Sequence, residues 1–121
     1  MANEISGSLS LTATKNGASV SASASIPAAY TTMSGDQMIS NVQIIGTSSE
    51  AITLGDVSTI GLVFLKNLDS TNFVTISVLA TAVATTGFTK LLAGGWCCFP
   101  AYSTQITAIA DTAPVNLQVI A

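Results

Sequence analysis

The sequence predicts an all-β fold: an antiparallel β-sandwich of about nine strands, with a jelly roll as the preferred variant. Three observations predict it. Short apolar or alternating runs recur at a spacing of about 8 to 14 residues. Each run is bounded by Gly, Pro, Asn, Asp or Ser, the residues that turn chains. No long helical period is sustained anywhere. About eight strands in two packed sheets is the size of a jelly roll.

The densest apolar run beside a clear turn is Leu62-Val63-Phe64-Leu65. It holds no polar residue, so it reads as a central strand covered on both sides. Lys66-Asn-Leu-Asp-Ser-Thr-Asn72 supplies turn formers. Phe73 to Val78 then alternates, with Val74, Ile76 and Val78 on one face and Thr75 and Ser77 on the other. The two runs read as a β-hairpin at the heart of the domain.

The chain in order supports the same class. Ile5 to Ala13 alternates, with Ile5, Gly7, Leu9, Leu11 and Ala13 opposite Ser6, Ser8, Ser10 and Thr12. Asn16-Gly17 is the strongest short hairpin signal. Ala18 to Ile26 alternates again, with Val20, Ala22, Ala24 and Ile26 opposite four serines. Such small side chains specify register weakly, so the turn is expected to set it. Pro27 ends this strand, and Ala28 to Asp36 reads as a loop anchored by Tyr30, with Ser34-Gly35-Asp36 a turn. Met38 to Ile45 and Ala51 to Leu54 are strands, with Gly55-Asp56 a turn after the second. Val78 to Thr86 is ambiguous between a helical turn and an irregular link. Strands follow at Phe88 to Leu92 and Trp96 to Phe99, with Ala93-Gly94-Gly95 a turn between them. Thr104 to Ala110 and Val115 to Ile120 complete the chain. The 121 residues read as one sandwich domain, 1–121, with 1–26 a candidate N-terminal hairpin or arm.

Composition narrows the function. Only 7% of residues are charged, against about 25% in an average soluble domain. Interface cores are depleted in Lys, Glu and Asp, so this surface is expected to meet other subunits. A net charge of −3 and three scattered lysines (Lys15, Lys66, Lys90) argue against nucleic acid. No apolar stretch reaches the roughly 18 to 20 residues of a membrane helix. The N-terminus has no basic region followed by an apolar core, so synthesis in a cytoplasm is the default.

Catalytic equipment is sparse. There is no His, so Ser-His-Asp and Cys-His arrangements are excluded. The acidic residues Glu50, Asp56, Asp69 and Asp111 fall in or beside turns, which accounts for them. No calcium loop or phosphate loop is present. Cys97 and Cys98 are adjacent and point to opposite faces of a strand, where they read as small hydrophobes beside Trp96 and Phe99. No cofactor and no metal is expected. The candidate interface residues are Ile5, Leu9, Leu11, Val20, Tyr30, Trp96 and Tyr102.

One stretch points further. Gly55-Asp-Val57, Gly61, Phe64-Leu-Lys-Asn-Leu-Asp69, Thr71-Asn72 and Val74, followed by Phe88-Thr-Lys-Leu-Leu-Ala-Gly-Gly95, resembles small virion proteins of tailed bacteriophages. The departure is at Gly95-Trp96, where relatives usually carry an acidic residue, and the Cys-Cys pair is unusual. The resemblance implies a structural protein, not an enzyme. It implies a capsid decoration or cement protein on the virion surface, bridging major capsid protein subunits as a homotrimer. A tail or neck subunit (tube, adaptor or fibre base) is the first alternative. A carbohydrate-binding sandwich using Trp96 and Tyr102 is the second. The serine-rich hairpin is the candidate capsid-facing or neighbour-facing element.

Overall fold

Alternation along the chain is realised as ten strands in antiparallel sheets, with no helix among the described residues. The computed structural model describes residues 5–27, 38–54, 61–78, 87–100 and 105–121. The expectations at Tyr30, Ser34-Gly35-Asp36, Gly55-Asp56, residues 79–86 and Tyr102 lie outside them. The chain divides into two compact units, Met1–Asp36 and Gln37–Ala121.

In the first unit, β1 (Ser8–Lys15) pairs with β2 (Ala18–Ser25) through eight unbroken positions. Asn16 and Gly17 both take positive φ, 53° and 80°. That is the type I′ geometry whose twist matches the flanking strands, and it sets the register that the small side chains leave open. Ile26 N–H donates to Gly7 O at 2.9 Å and extends the ladder by one step. A Cβ on Gly7 would lie 2.8 Å from Ile26 Cδ1, so the glycine leaves room for that side chain at the open end of the ribbon.

In the second unit, two four-stranded sheets share one core. The first runs β3 (Ser40–Ile45), β10 (Val115–Ile120), β5 (Leu62–Asn67), β8 (Trp96–Pro100). The second runs β4 (Glu50–Ala51), β9 (Thr107–Ala110), β6 (Val74–Ser77), β7 (Thr89–Leu91). Ile45, Val63, Leu65, Val115, Leu117 and Val119 of the first sheet meet Val74, Ile76, Leu91, Ala108 and Ala110 of the second in a single buried cluster. This is an all-β antiparallel sandwich, with its driving force in apolar area removed from water.

Two expectations are corrected. The runs around Phe64 and Ile76 do not form a hairpin. β5 pairs with β10 and β8, whereas β6 pairs with β7 and β9 in the other sheet. Both edges of β5 are occupied up to its last residue. Asn67 N–H donates to Gly95 O at 2.8 Å on one side, and Leu68 N–H donates to Asn116 O at 2.9 Å on the other. The chain therefore leaves the sheet, and residues 67–72 carry it across to the second sheet as a corner.

The burial of the two strands is also the reverse of the expectation. β5 was expected to be covered on both sides, yet Val63 and Leu65 are buried while Leu62, Phe64 and Lys66 are only half-buried. β6 was expected to show a polar face, yet Thr75 and Ser77 are buried along with Val74 and Ile76. Part of the cover is visible. A Cβ on Gly87 would lie 2.6 Å from Thr75 Cγ2, so residue 87 runs close over the Thr75 side of the sheet. Small hydroxyl residues suit that position, because backbone can approach them closely.

The corner is built by carboxamide and carboxylate side chains. Asn67 is fully buried. Its Nδ2 donates to Asn72 O at 2.8 Å, Leu91 O at 3.0 Å and Leu92 O at 3.3 Å, and its Oδ1 accepts from Asp69 N–H at 2.9 Å. Asp69 Oδ2 accepts from Thr71 N–H at 2.8 Å and Asn72 N–H at 2.6 Å. The bond from Asn72, then that from Thr71, holds the Asp69 carboxyl below its ordinary value of 3.8.

A folded-state value below the unfolded one stabilises the fold above the unfolded value, and that contribution is lost as pH falls through the folded value. The expected outcome is that the difference in melting temperature between the wild type and Asp69→Asn narrows as pH is taken from neutral to well below 3.8. A thermal unfolding series in pH checks it. A constant difference across the series would remove Asp69 from this role.

Candidate interaction surface

The outer face of the β3-β10-β5-β8 sheet carries several exposed large apolar side chains among its polar ones. Cross-strand pairing sets Trp96, Lys66, Gln118 and Val42 in one row and Cys98, Phe64, Ile120 and Ser40 in the next. Pro100 lies beside Leu62 at one end, and Asn116 beside Ile44 at the other. Ile44 is 66% exposed, Val42 55% and Trp96 50%. Phe64 and Trp96 stack with centroids 6.1 Å apart and planes at 27°. Lys66 is the one charged residue among these positions. Monomers rarely expose contiguous apolar patches beyond a few hundred Å². A sheet face of this composition is the kind of surface that a protein partner covers.

Local chemistry explains why β3 turns its apolar residues outward. Gln43 points toward the second sheet and ties the β3–β4 corner. Its Nε2 donates to Ala51 O at 3.0 Å and to Glu50 Oε1 at 3.3 Å, and its Oε1 accepts from Thr53 N–H at 2.8 Å. Glu50 Oε2 accepts from Gly46 N–H at 3.0 Å. A strand alternates faces, so placing Gln43 and Ile45 inward places Val42 and Ile44 outward.

The edge strand β8 carries the cysteines. Cys97 packs against the core, and Cys98 lies on the outer face. Burial, then the neighbouring Cys98, pushes the Cys97 thiol up to about 11, and burial raises Cys98 as well. The thiolate is the reactive and metal-binding form, so this environment favours neutral, packing side chains at pH 7. Glu50 and Asp69 are both engaged in corners. Among the described residues no group of three His, Cys, Asp or Glu comes together.

The predicted interface residues separate into two surfaces. Leu9, Leu11 and Val20 share one face of the β1–β2 ribbon and are 49%, 63% and 69% exposed. Ile5 is half-buried in the same unit. Trp96 belongs to the sandwich face described above. Tyr30 and Tyr102 lie outside the described residues. Sequence reasoning missed Val42, Ile44, Phe64 and Ile120. The signal that could have found them was Leu62-Val63-Phe64-Leu65 itself, since apolar residues at every position leave an apolar outer face unless something covers it.

No family model, no curated protein and no solved structure matches this chain.

Proposed function

We propose that this chain is a structural protein of a bacteriophage virion. It is a head decoration or cement protein that self-associates as a homotrimer and bridges major capsid protein subunits on the capsid surface. The observation that carries the reading is the open apolar face around Phe64, Trp96, Val42 and Ile44, on a chain with only 7% charged residues. The strand orders add support. With first strand beside last, the sheets read 3-10-5-8 and 4-9-6-7, the order of an eight-stranded jelly roll, an architecture shared by capsid and lectin domains. The residues that resemble phage virion proteins also acquire a physical role. Asn67, Asp69 and Asn72 build the corner between the sheets.

Clamping a shell requires many copies of a modest contact, whose effects multiply as avidity. Apolar and aromatic side chains at the centre of such a contact carry most of its strength. Co-sedimentation with empty capsids tests the reading. The wild type is expected to pellet with capsids, and Ile44→Asp and Trp96→Ala are each expected to weaken binding by about tenfold or more. Wild-type protein left in the supernatant overturns the head assignment. Pelleting with tails instead places the chain in the tail or neck.

A second reading is favoured by one observation, the half-exposed Trp96 ring on an open sheet face. In that reading the protein is a glycan-binding module, and Trp96→Ala abolishes retention on immobilised polysaccharide without affecting capsids.

A further inference from the structure

Asn16 is the one asparagine of the chain that a glycine follows. Asn3, Asn41, Asn67, Asn72 and Asn116 are followed by Glu4, Val42, Leu68, Phe73 and Leu117. Asn16 stands at the tip of the β1–β2 ribbon, where it, Gly17 and every residue of both strands are exposed. The ladder closes between Lys15 and Ala18, which leaves the Gly17 N–H outside the pairing. A Cβ built on Gly17 would meet nothing within 4 Å, so this side of the turn is open to solvent.

We propose that Asn16 is a site of spontaneous deamidation through a cyclic imide formed with Gly17. The Gly17 backbone nitrogen gives its proton to solvent and bonds to Asn16 Cγ. The bond from Cγ to Nδ2 breaks, and Nδ2 takes up a proton and leaves as ammonia. Water then opens the five-membered ring on one of two sides. Breaking the new bond to Cγ leaves aspartate in an unchanged main chain. Breaking the bond between the Gly17 nitrogen and the Asn16 main-chain carbonyl carbon leaves isoaspartate, with the main chain running through Cβ and Cγ. The sum is amide plus water giving acid plus ammonia, and no oxidant or second protein enters it.

Two features single out this position. Glycine has no Cβ to crowd the attacking nitrogen, whereas a side chain follows every other asparagine. Ring closure also requires Asn16 to leave its turn conformation, φ 53°. A two-stranded ribbon is by itself at best marginally stable, and exposed tips open at low cost. Asn67 is the contrast: it is fully buried and its side chain is held by four hydrogen bonds. The consequence lies in the register. A two-residue turn of this type fits its strands only with two ordinary residues at its centre, and isoaspartate adds one carbon to the main chain there. The small side chains of the strands leave register to the turn, so pairing in the ribbon loosens as isoaspartate forms. The proposal stands apart from the virion reading.

The experiment ages the full-length wild type and Asn16→Gly in warm, mildly alkaline buffer. Gly-Gly keeps the turn type and removes the amide. Peptide mapping by mass spectrometry follows each asparagine, and hydrogen exchange follows the ribbon amides. The expected result is conversion at Asn16 ahead of every other asparagine, to a mixture of aspartate and isoaspartate, and slower in mildly acidic buffer because the nitrogen must lose its proton. Aged wild type is expected to lose exchange protection between Ser8 and Ser25, with Trp96 emission unchanged, while aged Asn16→Gly keeps both. Asn16 still intact when another asparagine has converted overturns the proposal. Aspartate without isoaspartate overturns the imide route, and full ribbon protection in the isoaspartate form overturns the effect on register.

Discussion

Replacing Asn67 with alanine is expected to lower the unfolding free energy by about 3 kcal/mol, since buried groups left without partners cost about 1–3 kcal/mol each. The side chain is fully buried and ties its own corner, residues 67–72, to the distant segment at Leu91 and Leu92. Its amide donates to carbonyls of Asn72, Leu91 and Leu92, and its carbonyl receives the Asp69 N–H. Alanine removes all four bonds and leaves their backbone partners without the Asn67 side chain. For a domain of this size the loss corresponds to a melting temperature lower by about 10 °C. Asn67→Asp keeps the shape and the acceptor but sets a carboxylate against carbonyl oxygens, so it is expected to be at least as damaging. Denaturant unfolding of both variants checks this. A loss below about 1 kcal/mol in Asn67→Ala would mean the corner is held by its backbone alone.

Leu65→Ala is expected to cost about 3 kcal/mol, in the range of large-to-small changes in a closed core. Leu65 is completely buried on the inner face of β5, between β10 and β8. The comparison that gives the result meaning is Ile44→Ser in the same sheet. Ile44 is 66% exposed on the outer face, so its replacement in the isolated protein is expected to change stability by no more than about 0.5 kcal/mol. Urea unfolding of the two variants separates a face that holds the fold from a face kept for something else. Equal losses would show that the outer face is already covered in the isolated protein, and would remove it as a partner surface.

These pairs of variants also mark what could be read without the structure. The Asn16-Gly17 turn was legible because only a few residue types tolerate positive φ at both central positions of a tight hairpin. The register followed from it. The strand positions were legible because alternation with period two is local. The chemistry of Asn67 and Asp69 as a turn was legible too, since their side chains accept from backbone N–H groups two or three residues on. Where that turn led was not. Whether a chain reverses into a hairpin or crosses to a second sheet depends on whether the edge of β5 is free, and residues 94–95 and 116, far along the chain, already occupy both of its edges.

The sequence by itself determined that this protein is all-β, that its strands are short and antiparallel, and that its surface is poor in charge. Those are consequences of residue type, spacing and composition. The tertiary structure decided which strands are neighbours and which faces are covered. Thr75 is buried where residue 87 passes close to it, and Val42, Ile44 and Phe64 face outward because Gln43 and Leu65 are needed inside. Burial is a property of what lies across from a residue, and alternation along a strand states only that two faces exist.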